Sequence, residues 1–312
     1  MSYGISQQLG NYRLIKLLGQ GRFAAVYLGE HAQYRTQVVI KVLNIRLTDQ
    51  EVEYWRNVAL SIMGLEHPNI VRVYDSGIED YFPYIVMAYV PNGSLRTFHP
   101  SGTRLDPYTI VSYVRQIAAA LQYAHNKNVI HRDIKPAIML PGQNNTVLLS
   151  DFGIAYLYQS VPFGNTQDTI GTISYMAPEQ LRGEVYPATD QYALGTIVYE
   201  WLSGDHPFHG SFTELCNQIV YTPPPPLSQK VPGIPASIEK VVMTALAKNP
   251  QQRFASVRDF AIALEQACAS EPSLRANPGF GLPNPQTPTA HRLFSEPVEP
   301  SFMPTSLGDS RE

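Results

Sequence analysis

The chain has 312 residues, 44% of them hydrophobic, and a formal net charge of −3. Its length and apolar content suit one large domain or two lobes, and its charge leaves no basic footprint for nucleic acid or an anionic membrane surface. The two cysteines, Cys216 and Cys268, have no second cysteine or histidine at metal-ligand spacing and read as reduced thiols. No apolar run reaches the roughly 18 residues of a membrane span, and the first residues lack the pattern of a secretory signal, so a cytoplasmic protein is expected.

In chain order, a polar leader over 1–11 precedes an apolar strand over 12–18. The turn Gly19-Gln20-Gly21-Arg22-Phe23-Ala24 follows, and strand character then resumes through Val26. Its glycines let a backbone approach a ligand with no Cβ in the way. Val38-Val39-Ile40-Lys41 is a β-branched run ending in a lysine. Over 49–65, Trp55, Val58, Ala59, Ile62 and Leu65 recur at helical steps, with Thr48 or Asp49 as the N-cap and Gln50 and Glu51 in the first turn. Two strands are predicted over 70–74 and 84–89, the first ending at a turn Asp75-Ser76-Gly77. A long alanine-rich helix is predicted over 106–127, running out at the polar His125-Asn126-Lys127-Asn128. Helices follow over 190–203, apolar on most sides, and over 212–221, 238–248 and 257–269. Strands first and helices after argue an α+β architecture, a small β-rich lobe with a larger helical one. From 270 to 312 the chain is proline-rich and aperiodic and is expected to be a disordered tail.

Chemistry concentrates in His131-Arg132-Asp133-Ile134-Lys135-Pro136-Ala137-Ile138-Met139-Leu140 and, after a short hairpin, in Asp151-Phe152-Gly153. These stretches resemble the catalytic loop H-R-D-x-x-x-x-N and the D-F-G loop of eukaryotic-type Ser/Thr protein kinases. The glycine turn, Val38–Lys41, the run Gly171-Thr172-Ile173-Ser174-Tyr175-Met176-Ala177-Pro178-Glu179, and Asn249-Pro250-Gln251-Gln252-Arg253 resemble further motifs of that family, in its order. The resemblance covers most of the chain. It implies a kinase-like domain over 12–269, with an N-lobe over 12–89, a hinge over 88–93 and a C-lobe over 94–269.

The resemblance also implies cofactors and roles. ATP would lie against Gly19, Gly21, Val26, Val39, Lys41, Met87, Tyr89 and Leu140, with Lys41 on the α- and β-phosphates and Mg2+ held by Asp151. Asp133 would take or orient the substrate hydroxyl proton, Lys135 would face the transferred phosphoryl group, and Thr172 would brace both. Glu179 would pair with Arg253, and Asp190 would position the catalytic loop. Arg132 beside Asp133 suggests a loop ordered by phosphorylation at Thr169 or Thr166. The partner would be a protein substrate that the sequence does not name.

Two positions depart from the family's pattern. Ile138 stands where a metal-binding asparagine is expected, and Val58 where the helix over 49–65 should offer Lys41 a glutamate. Glu51 lies on the same helix face but about 10 Å further along the axis. Two functions therefore stay open: a Ser/Thr kinase of reduced activity, and a pseudokinase acting as a nucleotide-binding or scaffolding signalling module.

Overall fold

The computed structural model describes residues 6–154, 171 and 173–271. Six strands form an antiparallel sheet in the order β1-β2-β3-β4-β6-β5: β1 Gln8–Leu9, β2 Tyr12–Gln20, β3 Ala24–His31, β4 Gln37–Leu43, β5 Val73–Glu79 and β6 Phe82–Ala88. The segment predicted as leader thus contributes a short edge strand, paired through Gln8 with Arg13 and Leu9 with Tyr12. Side chains alternate across the sheet. Ala25, Tyr27, Val38, Ile40, Val42 and Val86 close a core on one face, while Ala24, Leu43, Ile85 and Met87 join the main core on the other. Val26 lies opposite Lys41 and Val39 opposite Met87, all on that second face. Strand pairing alone gathers four of the expected nucleotide-binding residues on one surface.

The predicted turn at Asp75-Ser76-Gly77 is a strand. Asp75, Ser76 and Gly77 pair with Val86, Ile85 and Tyr84, after a register shift between Val73 and Asp75. The reversal instead falls at Asp80 and Tyr81, both with positive φ (49° and 69°), which is the two-residue hairpin geometry matched to strand twist. Gly77 is needed for packing: a Cβ there would lie 2.3 Å from Cζ and Oη of Tyr84. Gly77→Ala is expected to destabilise the chain by about 1–3 kcal/mol through overpacking. In urea unfolding, most of that loss should vanish in a Tyr84→Ala background. A cost below about 0.5 kcal/mol would contradict this packing.

Helix α1, Asp49–Met63, begins at Thr48, whose hydroxyl accepts from Glu51 N–H while the Glu51 carboxylate accepts from the Thr48 N–H at 2.7 Å. This capping box satisfies two orphan N–H groups of the first turn. Trp55, Ala59 and Ile62 are its buried residues, as the periodicity predicts.

Beyond the sheet, α2 (Leu95–Phe98) leads to α3 (Pro107–Asn126), whose cap Asp106 accepts from Tyr108 and Thr109 N–H. Ile110, Val114, Ile117, Leu121 and Ala124 are buried along α3. The helix closes with Asn128 at φ 59°, the Asn128 N–H on His125 O and the Val129 N–H on Ala124 O. That is a Schellman end with Asn in the left-handed position. A hairpin of β7 (Met139–Pro141) and β8 (Val147–Leu149) follows. Further helices are α4 (Pro178–Leu181), α5 (Pro187–Ser203), α6 (Phe212–Tyr221), α7 (Leu227–Lys230), α8 (Ala236–Ala245) and α9 (Val257–Ala269). Every residue of α5 from Thr189 to Ser203 is buried, so this helix is the axis of the helical lobe. The prediction over 238–248 overruns α8. Its chain leaves helical geometry after Ala245, and Lys248 donates back to the carbonyls of Gln218 and Ile219 at the end of α6.

The lobes are joined by backbone as well as by core. Leu149 N–H donates to Asn69 O, Val71 N–H to Leu149 O, and the Asn69 side chain to Val147 O and to Gln116. The result is the two-lobe protein-kinase fold, a β-rich N-lobe over a helical C-lobe.

Candidate active site

Strand β4 and the Asp151–Gly153 loop meet through an ion pair. Lys41, on β4, reaches 2.9 Å from Nζ to Oδ2 of Asp151, which follows β8. Asp151 has φ 67°, a conformation that costs a non-glycine residue energy and is commonly kept only at functional sites. Burial alone would raise the Asp151 carboxyl. The Lys41 ammonium outweighs it, with help from His131 and Lys135, and holds the group below the ordinary carboxylate range. Gly153 also needs its positive φ of 69°, and a Cβ there would come 2.8 Å from Cδ1 of Ile62 and 3.5 Å from Cγ1 of Val58. Val58 therefore faces the Asp151–Gly153 loop from α1 and fills the space with a methyl group.

The three carboxylates of α1 do not replace the missing partner of Lys41. Glu51 is engaged in the capping box, Glu53 pairs with Arg56 at 3.3 Å, and Asp49 is exposed in the first turn. The Glu51 carboxylate is held at the helix start by Thr48. Among the described residues, Lys41's ion pair is with Asp151.

Asp133 and Lys135 form a second pair at 2.9 Å, with side chains 28% and 22% exposed, open enough to meet a solute. Their loop is held from below. Asp190, in the first turn of α5, accepts from the N–H groups of His131 (2.9 Å) and Arg132 (2.8 Å) and bonds Nε2 of His125 at 2.8 Å. Burial would raise the Asp190 carboxyl, but the hydrogen bond and field of His125, with those of His131, keep it low. His131 is fully buried; its Nε2 donates to Ser150 O at 2.7 Å, and its ring lies 4.5 Å from that of Phe152. Arg132 sits at φ 71°, its carbonyl accepting from the Gln180 amide. The catalytic-loop backbone is thus clamped between α5 and the Asp151 loop.

Ile138 lies in a 3-10 turn, Pro136–Ile138, with 5% exposure and a place in the main core. Its carbonyl accepts from both the N–H and the hydroxyl of Ser150 at 3.0 Å. An apolar, buried side chain offers no lone pair to a cation. The described residues contain no cluster of three His, Cys, Asp or Glu fit for a metal. The carboxylate oxygens that the site could offer a hard cation are those of Asp151 and Asp133.

A scan against family models matches the protein kinase domain over residues 12–268. The chain belongs to the protein kinase family. Among curated proteins, this kinase domain is 34% identical over 254 residues to serine/threonine-protein kinase PrkC of Bacillus subtilis (strain 168), covering 80% of this chain and 39% of that protein. It is 37% identical over 276 residues to serine/threonine-protein kinase Pkn1 of Myxococcus xanthus (85% and 39%) and 35% identical over 270 residues to PknB of Mycobacterium leprae (84% and 43%). The chain spans about two fifths of the length of these relatives.

Within the kinase domain, Gly19 pairs with Val26 at the end of β2, and Gly21 N–H closes the turn onto Ala24 O. A Cβ on either glycine would meet nothing within 4 Å, so both face open space. Met87 ends the buried run of β6, Tyr89 follows it half-buried, and Leu140 lies on β7 opposite Leu148. In the stretch after β6 the Ala88 N–H is bonded to Arg72 O at 2.9 Å. Thr172, Thr166 and Thr169, with the tail from 272 on, lie outside the described residues.

The buried Glu179–Arg253 pair stands as two parallel bonds of 2.7 and 2.8 Å. His125 is a site residue that the sequence did not single out. It looked like part of a polar helix end, yet its side chain is 5% exposed and tied to Asp190. Its one signal was position, six residues before His131, without a spacing rule to give that meaning. Among the described residues no helix is long and apolar enough to cross a membrane.

Proposed function

We propose that the chain is an ATP-dependent Ser/Thr protein kinase whose phosphoryl transfer is slowed by Ile138 and Val58. The observation that carries this reading is the convergence of two ion pairs, Lys41–Asp151 and Asp133–Lys135, on one clamped frame. Phosphoryl transfer asks a protein mainly for alignment and charge neutralisation. On this reading Lys41 would bind the α- and β-phosphates of ATP, and Asp151 would hold a Mg2+ ion, which would supply charge neutralisation. Asp133 accepts or orients the proton of a substrate Ser or Thr hydroxyl, Lys135 moves from Asp133 to the transferred group, and Thr172 braces both. Gly19, Gly21, Val26, Val39, Met87, Tyr89 and Leu140 form the nucleotide's walls.

The names of the relatives, each a serine/threonine-protein kinase, support the substrate class. A second reading has its own observation: with Ile138 buried at the metal position, the domain acts as a nucleotide-binding or scaffolding pseudokinase. The deciding experiment is autophosphorylation and transfer to a generic basic protein from labelled ATP, comparing the parent with Asp133→Ala. Loss of about 100-fold or more in Asp133→Ala is expected for a proton-handling residue. Signal that survives this change comes from elsewhere. A parent with no signal that still binds Mg-ATP supports the pseudokinase.

A further inference from the structure

Asn44 follows β4 three residues after Lys41 and addresses the tip of the glycine-rich turn with every donor it has. Its backbone N–H donates to Phe23 O at 2.8 Å, and its side-chain amide donates to Gly21 O at 3.1 Å and to Arg22 O at 3.2 Å. Three consecutive carbonyls of the turn are thus drawn to one side by one residue. In a planar trans peptide the C=O and the next N–H point in opposite directions. Turning the carbonyls of 21, 22 and 23 towards Asn44 therefore turns the N–H groups of Arg22, Phe23 and Ala24 away from it. Successive N–H groups facing one way are the geometry by which a backbone favours an anion.

Gly19 and Gly21 are exposed with nothing within 4 Å of a would-be Cβ, and the Gly21 N–H closes the turn onto Ala24 O at 2.9 Å. From this we infer that Asn44 is a positioning residue, fixing the phosphate-facing turn to the strand that carries Lys41. The inference rests on the nucleotide-binding reading above and adds a residue to it. It matters more here because α1 offers Lys41 no carboxylate. The β3–β4 hairpin must therefore hold both the turn and the lysine in register by itself.

The chemistry demands an amide. Alanine keeps the backbone bond and loses the two side-chain bonds. Aspartate has no side-chain donor and sets a carboxylate against two carbonyl oxygens. Asn44 is half-buried at the end of a strand, so neither change removes core packing.

The test uses the full chain in two measurements. Hydrogen exchange without nucleotide should show the segment 19–25 opening about tenfold more often in Asn44→Ala, the equivalent of about 1.4 kcal/mol for two exposed hydrogen bonds. Titration with Mg2+ and a non-hydrolysable ATP analogue should show about five- to tenfold weaker binding in Asn44→Ala and at least that in Asn44→Asp. The thermal midpoint without nucleotide should fall by no more than about 6 °C, the shift of a loss of that size. Unchanged affinity in both variants, beside a parent that binds normally, overturns the positioning role alone, whatever the exchange shows. A parent that binds no nucleotide overturns the reading beneath it, and loop exchange then reports separately whether the tether exists.

Discussion

Ile138→Asn combined with Val58→Glu is expected to raise the rate of phosphoryl transfer by about 100-fold over the parent, since each recovered interaction of about 1.4 kcal/mol is worth tenfold. On the kinase reading proposed above, the two changes act on one bottleneck from opposite sides. A carboxylate at 58 would stand on the α1 face that meets the Asp151–Gly153 loop and would compete with Asp151 for the Lys41 ammonium. Asp151 would then be free to hold a cation. An amide oxygen at 138 would supply that cation's missing ligand from the catalytic loop. The gain has a cost in stability. Ile138 is 5% exposed in the main core, and losing an isoleucine from such a site gives up about 1.5–3 kcal/mol of burial. Single-turnover rates with labelled ATP, taken well below the melting temperature of each variant, separate the two effects. A folded double variant no faster than the parent would show that these positions are not what limits the site. The same double variant carrying Asp133→Ala should return to background.

Removing Arg253 is expected to be the most destabilising single change in the helical lobe. Its guanidinium is fully buried and faces a Glu179 carboxylate 2% exposed; it also donates to the carbonyls of Ala247 and Ala188 at 2.8 Å. Arg253→Ala would leave a buried carboxylate with the Thr189 hydroxyl as its remaining side-chain donor among the described residues. Breaking a buried pair on one side costs about 3–5 kcal/mol. For a chain of this size that corresponds to a fall in Tm of roughly 6–20 °C. Replacing both partners together, as Arg253→Met with Glu179→Leu, should recover much of the loss because no charge is then left unpaired. Denaturant unfolding of the three variants measures this directly. If Arg253→Ala costs under about 1 kcal/mol, the pair contributes no more than a surface ion pair would.

Both predictions depend on how far each motif could be understood from its own residues. The catalytic-loop and Asp-Phe-Gly stretches are local: their identity, order and spacing are visible in the chain, and so were the gaps at Ile138 and Val58. The helices α6 and α9 end where their apolar periods and polar flanks place them, because those signals lie within one or two turns. The turn predicted at Asp75-Ser76-Gly77 failed for a related reason. Its composition is that of a turn, but β6 pairs with it and Tyr84 lies where a Gly77 side chain would be. Tertiary pairing overrode local propensity.

By itself the sequence determined the family's fold, the strand-then-helix order, and which polar groups are present or missing at the site. What those groups touch was decided only by the tertiary structure. Lys41 meets Asp151, His125 meets Asp190, and the Glu51 carboxylate is held by its own helix start. Asn44 reaches back to the turn of 21–23. The physical reason is that a charge or amide within a chain carries no information about its partner's distance. That distance is set when the sheet, the catalytic loop and α5 pack their apolar faces together, and the polar groups bond whatever the packing brings within reach.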